Sequence, residues 1–110
     1  MTSLSLLVFR TEKLEESRRF YEALLGIEFT KEKHGNGPEH YAALLPEGIV
    51  LELYPGEPSR VRLGFKIENL EAALERLTKE GLLQHAQIAT RDLVVVCVVD
   101  DPDGRRVEVV

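Results

Sequence analysis

With 110 residues, 44% hydrophobic and 30% charged, the chain has the size and balance of one globular domain, residues 1–110, with a single modest core. Fourteen basic and 19 acidic residues leave a net charge of −5 with no basic run, which argues against nucleic acid as a partner, since phosphate binding needs clustered Lys and Arg. The longest apolar run, Leu93 to Val99, is too short for a membrane span, and "MTSLSLLVFR" lacks the basic start and cleavage site of a signal peptide, so a cytoplasmic protein with no membrane partner is expected.

In chain order, "LSLLVFR" (4–10) reads as a strand. A helix follows over about Lys13 to Leu25: Leu14, Tyr21, Leu24 and Leu25 recur at helical spacing, Glu15 and Glu16 suit its first turn, and Gly26 stops it. "IEFTKEK" (27–33), "HYAALL" (40–45) and "IVLELY" (49–54) read as strands, with "HGNGPE" and "PEG" as the turns between them. "YPGEPS" (54–59) then divides the chain. "RVRLGFKI" (60–67) is a strand, and a second helix runs over about Leu70 to Glu80, with Asn69 as N-cap and Gly81 at its end. "LLQHAQIA" (82–89), "LVVVCVV" (93–99) and "RRVEVV" (105–110) complete the strands. Cys97 is alone, so no intrachain disulfide forms, and inside "VVVCVV" it reads as a small buried hydrophobe.

Each half is therefore β-α-β-β-β, module 1 about 1–56 and module 2 about 57–110. A shift of 56 lays "FRTEKLEE" (9–16) on "FKIENLEA" (65–72) and "PEGIVLELY" (46–54) on "PDGRRVEVV" (102–110). Matches at one offset at both ends of each half suggest duplication of one unit. The offset makes Glu52 and Glu108 equivalent.

Strand alternation places these acids. Val50, Glu52 and Tyr54 share one side of their strand, and Arg106, Glu108 and Val110 share one side of theirs; the opposite sides are apolar and face the helices. The same test puts Arg62, Gly64 and Lys66, and by the offset Leu4, Leu6, Val8 and Arg10, on the helix-free faces. The first strand is apolar on both sides, so its helix-free face is expected to be covered by the other module's sheet or by a second subunit. Solvated charges on an exposed sheet would also give this pattern. The valines and leucines among them favour the walls of a cleft. His34, in "HGNG", reads as exposed loop, while the pattern does not fix how His40 and His85 face, and no histidine is assigned a role. Tyr21 and Ser17 read as packing residues, and Asp101 and Asp103 as shaping the "DPDG" turn.

The segments "LEESRRFYEALLG" (14–26), "VLELY" (50–54), "FKIENLEAALERL" (65–77) and "DDPDGRRVEVV" (100–110) resemble the vicinal oxygen chelate superfamily, which includes glyoxalase I, bleomycin-resistance proteins and extradiol dioxygenases. The resemblance implies an α+β fold of two βαβββ modules forming a cup-shaped mixed sheet, and a homodimer. Glyoxalase-like members hold a divalent metal between the first and last strands of both modules. Carried onto this chain, those places are Leu6, Glu52, Arg62 and Glu108. Leucine has no donor and arginine no lone pair, so no metal ligand set and no cofactor are expected, with a divalent metal at Glu52 and Glu108 as the alternative.

Two acids in one cup should repel and raise one pKa, unless Arg62, a fixed cation at a vacated ligand place, sits beside Glu108 or faces Glu52. One guanidinium against two carboxylates would leave a negative charge for a cationic ligand or a proton, unless Arg106 cancels it. The expectation is a metal-free small-molecule-binding dimer whose site draws on Arg62, Glu52, Glu108, Tyr54, Arg106 and Leu6. The alternative is a lyase or isomerase of glyoxalase type, metal-dependent or with Glu52 or Glu108 as general acid or base. An interaction scaffold is the third reading. The ligand is not legible in the sequence.

Overall fold

A computed structural model describes residues 1–110. The order of elements is β1 (Leu6–Thr11), α1 (Leu14–Leu25), β2 (Thr30–Glu32), β3 (His40–Leu44), β4 (Val50–Pro55), β5 (Leu63–Phe65), α2 (Leu70–Lys79), β6 (Gln87–Arg91), β7 (Val94–Asp100) and β8 (Arg106–Val109). Both halves are βαβββ, and the mixed sheet is present as two four-stranded sheets, β1-β4-β3-β2 and β5-β8-β7-β6. In each, the first and last strands of the module pair in parallel and the rest are antiparallel. The register repeats at the offset of 56: Val8 lies opposite Glu52, and Gly64 opposite Glu108.

The helices form where the apolar spacing puts them. Asn69 accepts a hydrogen bond from Ala72 N at 3.0 Å, the expected N-cap. Gly26, at φ 66°, takes the left-handed conformation that lets its N–H reach Glu22 O at 2.9 Å and close α1. Both helices pack on the apolar sides of the sheets and on each other. Phe9, Leu51 and Leu53 of the first sheet, Val107 and Val109 of the second, and Phe20, Leu24 and Leu77 of the helices form one core. Burying each such aliphatic side chain contributes about 1.5–3 kcal/mol. Cys97 lies in this core as expected, and burial pushes its thiol above the usual range.

Three strands depart most from the sequence expectation, the others shifting by one or two residues at an end. Strand 27–33 shortens to Thr30–Glu32, because Ile27 completes the turn after α1 and Phe29 N donates to Glu22 Oε2 at 3.0 Å. Strand 82–89 becomes Gln87–Arg91: Leu82 N caps α2 through Leu77 O, and His85, at φ 53°, breaks extended geometry. The strand over 60–67 keeps only Leu63–Phe65.

A buried polar network ties the modules together. Asp101 Oδ2 accepts from Tyr21 Oη at 2.6 Å and from Arg105 Nη1 at 2.5 Å, while Oδ1 accepts from the backbone of Asp103 and Arg105. Arg105 also donates to the carbonyls of Arg10 and Ser59 and lies 4.6 Å over the Phe9 ring. Burial, and then the adjacent Asp101 carboxylate, pushes the Tyr21 hydroxyl well above its ordinary pKa, so it stays a donor. Ser17 packs as expected, paired through its hydroxyl with buried Thr11 at 2.7 Å.

Candidate functional site

On the second sheet Glu108 points to the helix-free side, as alternation requires. Arg62, two residues ahead of Gly64, donates Nη2 to Glu108 Oε1 at 2.8 Å, the contact expected from the sequence. Arg91 at the end of β6 reaches back across β7 and donates to Oε2 at 2.5 Å. Nothing in the sequence pattern singled Arg91 out. Its placement depends on the β6–β7 register and on the two-residue turn at Asp92 and Leu93, both at positive φ. Gly64 leaves the space opposite Glu108 without a side chain, and a depression of about 210 Å³ lies there, lined by Gly64, Phe65, Lys66, Glu108 and Val110.

The charge arithmetic reverses the expectation. Two guanidinium groups face one carboxylate, and the excess is positive. Guanidinium beside Glu108 relieves its carboxylate, as the exception for Arg62 allowed: the hydrogen bond from Arg91, and then that from Arg62, outweigh desolvation and hold it below the usual carboxylate range. A depressed carboxylate stabilises the fold above its unfolded pKa, and that contribution is lost as pH falls through the lower folded value. Arg91→Ala is therefore expected to move the Glu108 titration upward toward the ordinary range in a carbon-detected NMR titration, more than Arg62→Ala does. An unmoved midpoint would show that Arg91 is not its main partner.

On the first sheet the helix-free face carries Val8, Glu52 and Ala42 in one row, with Tyr54, His40 and Glu32 beside it. His40 is 1% exposed: its ring stacks on Tyr54 at 4.1 Å between centroids and lies 5.0 Å from the His34 ring. Its Nε2 is 3.5 Å from both Glu52 Oε2 and Glu32 Oε1. Burial, and then the Glu52 and Glu32 carboxylates, raise the Tyr54 hydroxyl above its ordinary pKa. The orientation left open by the sequence is thus settled for His40. His34 is exposed as expected, and His85 is exposed in the segment before β6.

Glu52 and Glu108 stand on separate sheets, and Arg62 pairs with Glu108, not with Glu52. Leu6 is 50% exposed, Arg106 is exposed, and neither approaches the acids as a ligand would. The donor set at the four family places does not fit a divalent metal. Leu6 offers hydrocarbon, Arg62 offers N–H groups, and both Glu108 oxygens already accept from guanidinium, which leaves Glu52 alone.

The profile of the glyoxalase-like domain matches residues 6–110. The fold is similar to that of Oxidase ChaP-H1, with TM-score 0.75, 17% identity, and 99% of this chain and 94% of that chain covered. It is also similar to a glyoxylase/bleomycin resistance protein/dioxygenase domain from Frankia sp. EAN1pec (TM-score 0.76, 19% identity, 99% and 90% covered). A glyoxalase-related enzyme from Clostridium phytofermentans is a third (0.69, 19%, 99% and 94%). No curated protein matches the chain in sequence. At these identities the neighbours speak for the fold alone. The profile spans both modules and both glutamate-bearing strands, and on that ground the chain belongs to the glyoxalase-like domain family of the vicinal oxygen chelate superfamily.

Proposed function

We propose that this protein binds an anionic small molecule on the second sheet, without a metal at the family's ligand places, and works as a homodimer. The observation that carries the reading is the clamping of Glu108 between Arg62 and Arg91. A carboxylate held by two guanidinium groups is not available to a cation, and the surplus charge, with Lys66 at the rim of the depression, suits a carboxylate or phosphate ester. Glu108 is also poorly suited to general acid or base work near neutral pH, because its pKa moves away from that range. The equivalence of the two modules in register supports descent by duplication, with the second copy specialised for anion recognition and Glu52 and Tyr54 presented by the first.

Thermal shift against matched anionic and cationic metabolites tests this. Anions at a hundred times their Kd are expected to add about 2.7 kcal/mol of apparent stability, a rise of roughly 10 °C, and cations none. Gly64→Val, which has open space around the new Cβ, is expected to fill the depression and remove the shift while leaving the unliganded melting temperature in place. A response to cations alone, or turnover of a glutathione hemithioacetal that persists in Gly64→Val, would overturn the reading.

A further inference from the structure

Five polar or charged side chains are buried: Thr11, Ser17, His40, Asp101 and Arg105. Four are satisfied by the pairings already described. Two buried polar atoms have no hydrogen bond, Asp103 Oδ2 and His40 Nε2. Asp103 Oδ2 has charge compensation, with Arg105 Nη2 at 3.7 Å. His40 Nε2 has no hydrogen bond, and its near neighbours are the oxygens of Glu32 and Glu52, each at 3.5 Å. An unpartnered buried nitrogen costs about 1–3 kcal/mol, so a ligand that accepts its lone pair would be favoured there.

The other ring nitrogen says which kind. His40 Nδ1 lies 3.2 Å from Pro38 O, an acceptor only, so it carries the proton and donates to that carbonyl. In the neutral ring this leaves the lone pair of Nε2 directed at two carboxylates. Histidines that bind metals are held in this way, with the second nitrogen donating to a backbone carbonyl. No lysine or arginine lies within 4 Å of Glu32 or Glu52, in contrast to Glu108 with its two. The cluster therefore holds two negative charges that no side-chain cation offsets.

His34 Nε2 completes the set, 3.9 Å from Glu32 Oε1, and the ligand atoms of Glu32, His34 and His40 all lie within 4.8 Å of one another. With metal–ligand bonds of about 2.1 Å, ligand atoms sit about 3.4 Å apart around a tetrahedral ion and about 3.0 Å apart around an octahedral one. Within this set, 3.5 Å between His40 and Glu32 and 3.9 Å between His34 and Glu32 match the tetrahedral spacing with slight expansion. We infer that Glu32, His34 and His40 form a zinc site on the first module, with the fourth position open to water. Zinc would offset the Glu32 carboxylate and give His40 Nε2 its partner. The site lies on β2, β3 and the loop between them, beside Glu52 but with none of its three ligands at the four places the family resemblance points to, and it does not depend on the anion reading of the second sheet.

The test is zinc titration of untagged, chelator-stripped protein by calorimetry, with metal content of the dialysed product by mass spectrometry. One zinc per chain is expected. His34→Ala and Glu32→Gln, both at the surface, are expected to weaken binding at least tenfold each while the apo melting temperature holds. Glu108→Gln should bind zinc within twofold of the wild type. Absence of saturable binding at one per chain overturns the inference. So does binding that survives His34→Ala and Glu32→Gln but is lost in Glu108→Gln, which would return the metal to the family's place. Failure of zinc binding leaves the anion response of the Gly64 depression standing, so the two ideas fail separately.

Discussion

Asp101→Ala is expected to destabilise the fold by about 3–5 kcal/mol, a fall in melting temperature of roughly 10–20 °C. The carboxylate is fully buried and serves four donors at once: the Tyr21 hydroxyl, the Arg105 guanidinium and two backbone N–H groups of the closing turn. Its removal strands a guanidinium that is almost wholly buried, which costs more than the loss of a surface ion pair. The same deletion removes one polar tie between the modules, because Tyr21 belongs to α1 and Asp101 to the turn before β8, while Arg105, which also holds the carbonyl of Arg10 in β1, loses its nearest carboxylate. Tyr21→Phe, which removes one donor and leaves the ion pair, should cost only about 1–2 kcal/mol. Chemical denaturation read alongside thermal melting gives both values. A midpoint for Asp101→Ala within two degrees of the wild type would mean that the turn and the helix are held by the apolar core alone.

This network also shows where a sequence stops being legible. Asp101 was readable as a turn former, and it is one: Gly104, at φ 83°, donates its N–H to Asp101 O at 2.8 Å. Its contact with Tyr21 was not readable, since 80 residues separate them and only the docking of α1 under the second module's turn brings them together. The elements themselves followed from period. Residues of α1 and α2 repeat every three or four positions because one face of each is buried, and β4 and β8 alternate because one side of each meets a helix. β6 lacked such a signal: all five of its residues are exposed, so no face imposes alternation, and its start was placed too early.

The candidate site was legible to the same extent. The 56-residue offset and strand alternation were enough to bring Arg62 to Glu108, because Glu108 pairs in parallel with Gly64 of β5 and Arg62 immediately precedes that strand. Arg91 and His40 needed antiparallel register. Arg91 reaches Glu108 from the far side of β7, and His40 meets Glu32 and Tyr54 only once β2, β3 and β4 are aligned. A hairpin whose loop is "KHGNGPE" fixes neither its turn type nor its pairing from composition. The sign of the local charge therefore came out wrong until the register was known.

Leu6→Asp is expected to turn the proposed dimer into a monomer, with a dissociation constant raised at least a hundredfold by sedimentation equilibrium. Leu6 and Val8 lie on the helix-free face of β1, at 50% and 37% exposure, with Leu4, 59% exposed, just ahead of the strand, and the row continues from Leu6 through Val50 to exposed Leu44. A single exposed leucine is ordinary, but a contiguous apolar face on a sheet is not. Of the two covers the sequence allowed, the other module's sheet is not the one in use, since both faces stay open within one chain. A second copy is the cover the proposal assigns to it, and twofold symmetry makes each substitution act twice. Burying one leucine contributes about 1.5–3 kcal/mol, so losing two and placing two aspartates at an apolar contact exceeds the roughly 2.7 kcal/mol that a hundredfold change represents. The monomer itself should keep its fold, because Leu6 is open to solvent there and no core contact is lost. A wild-type chain that sediments as a monomer at tens of micromolar would remove the dimer from the proposal, and β1 would then carry its apolar row for a reason other than self-association.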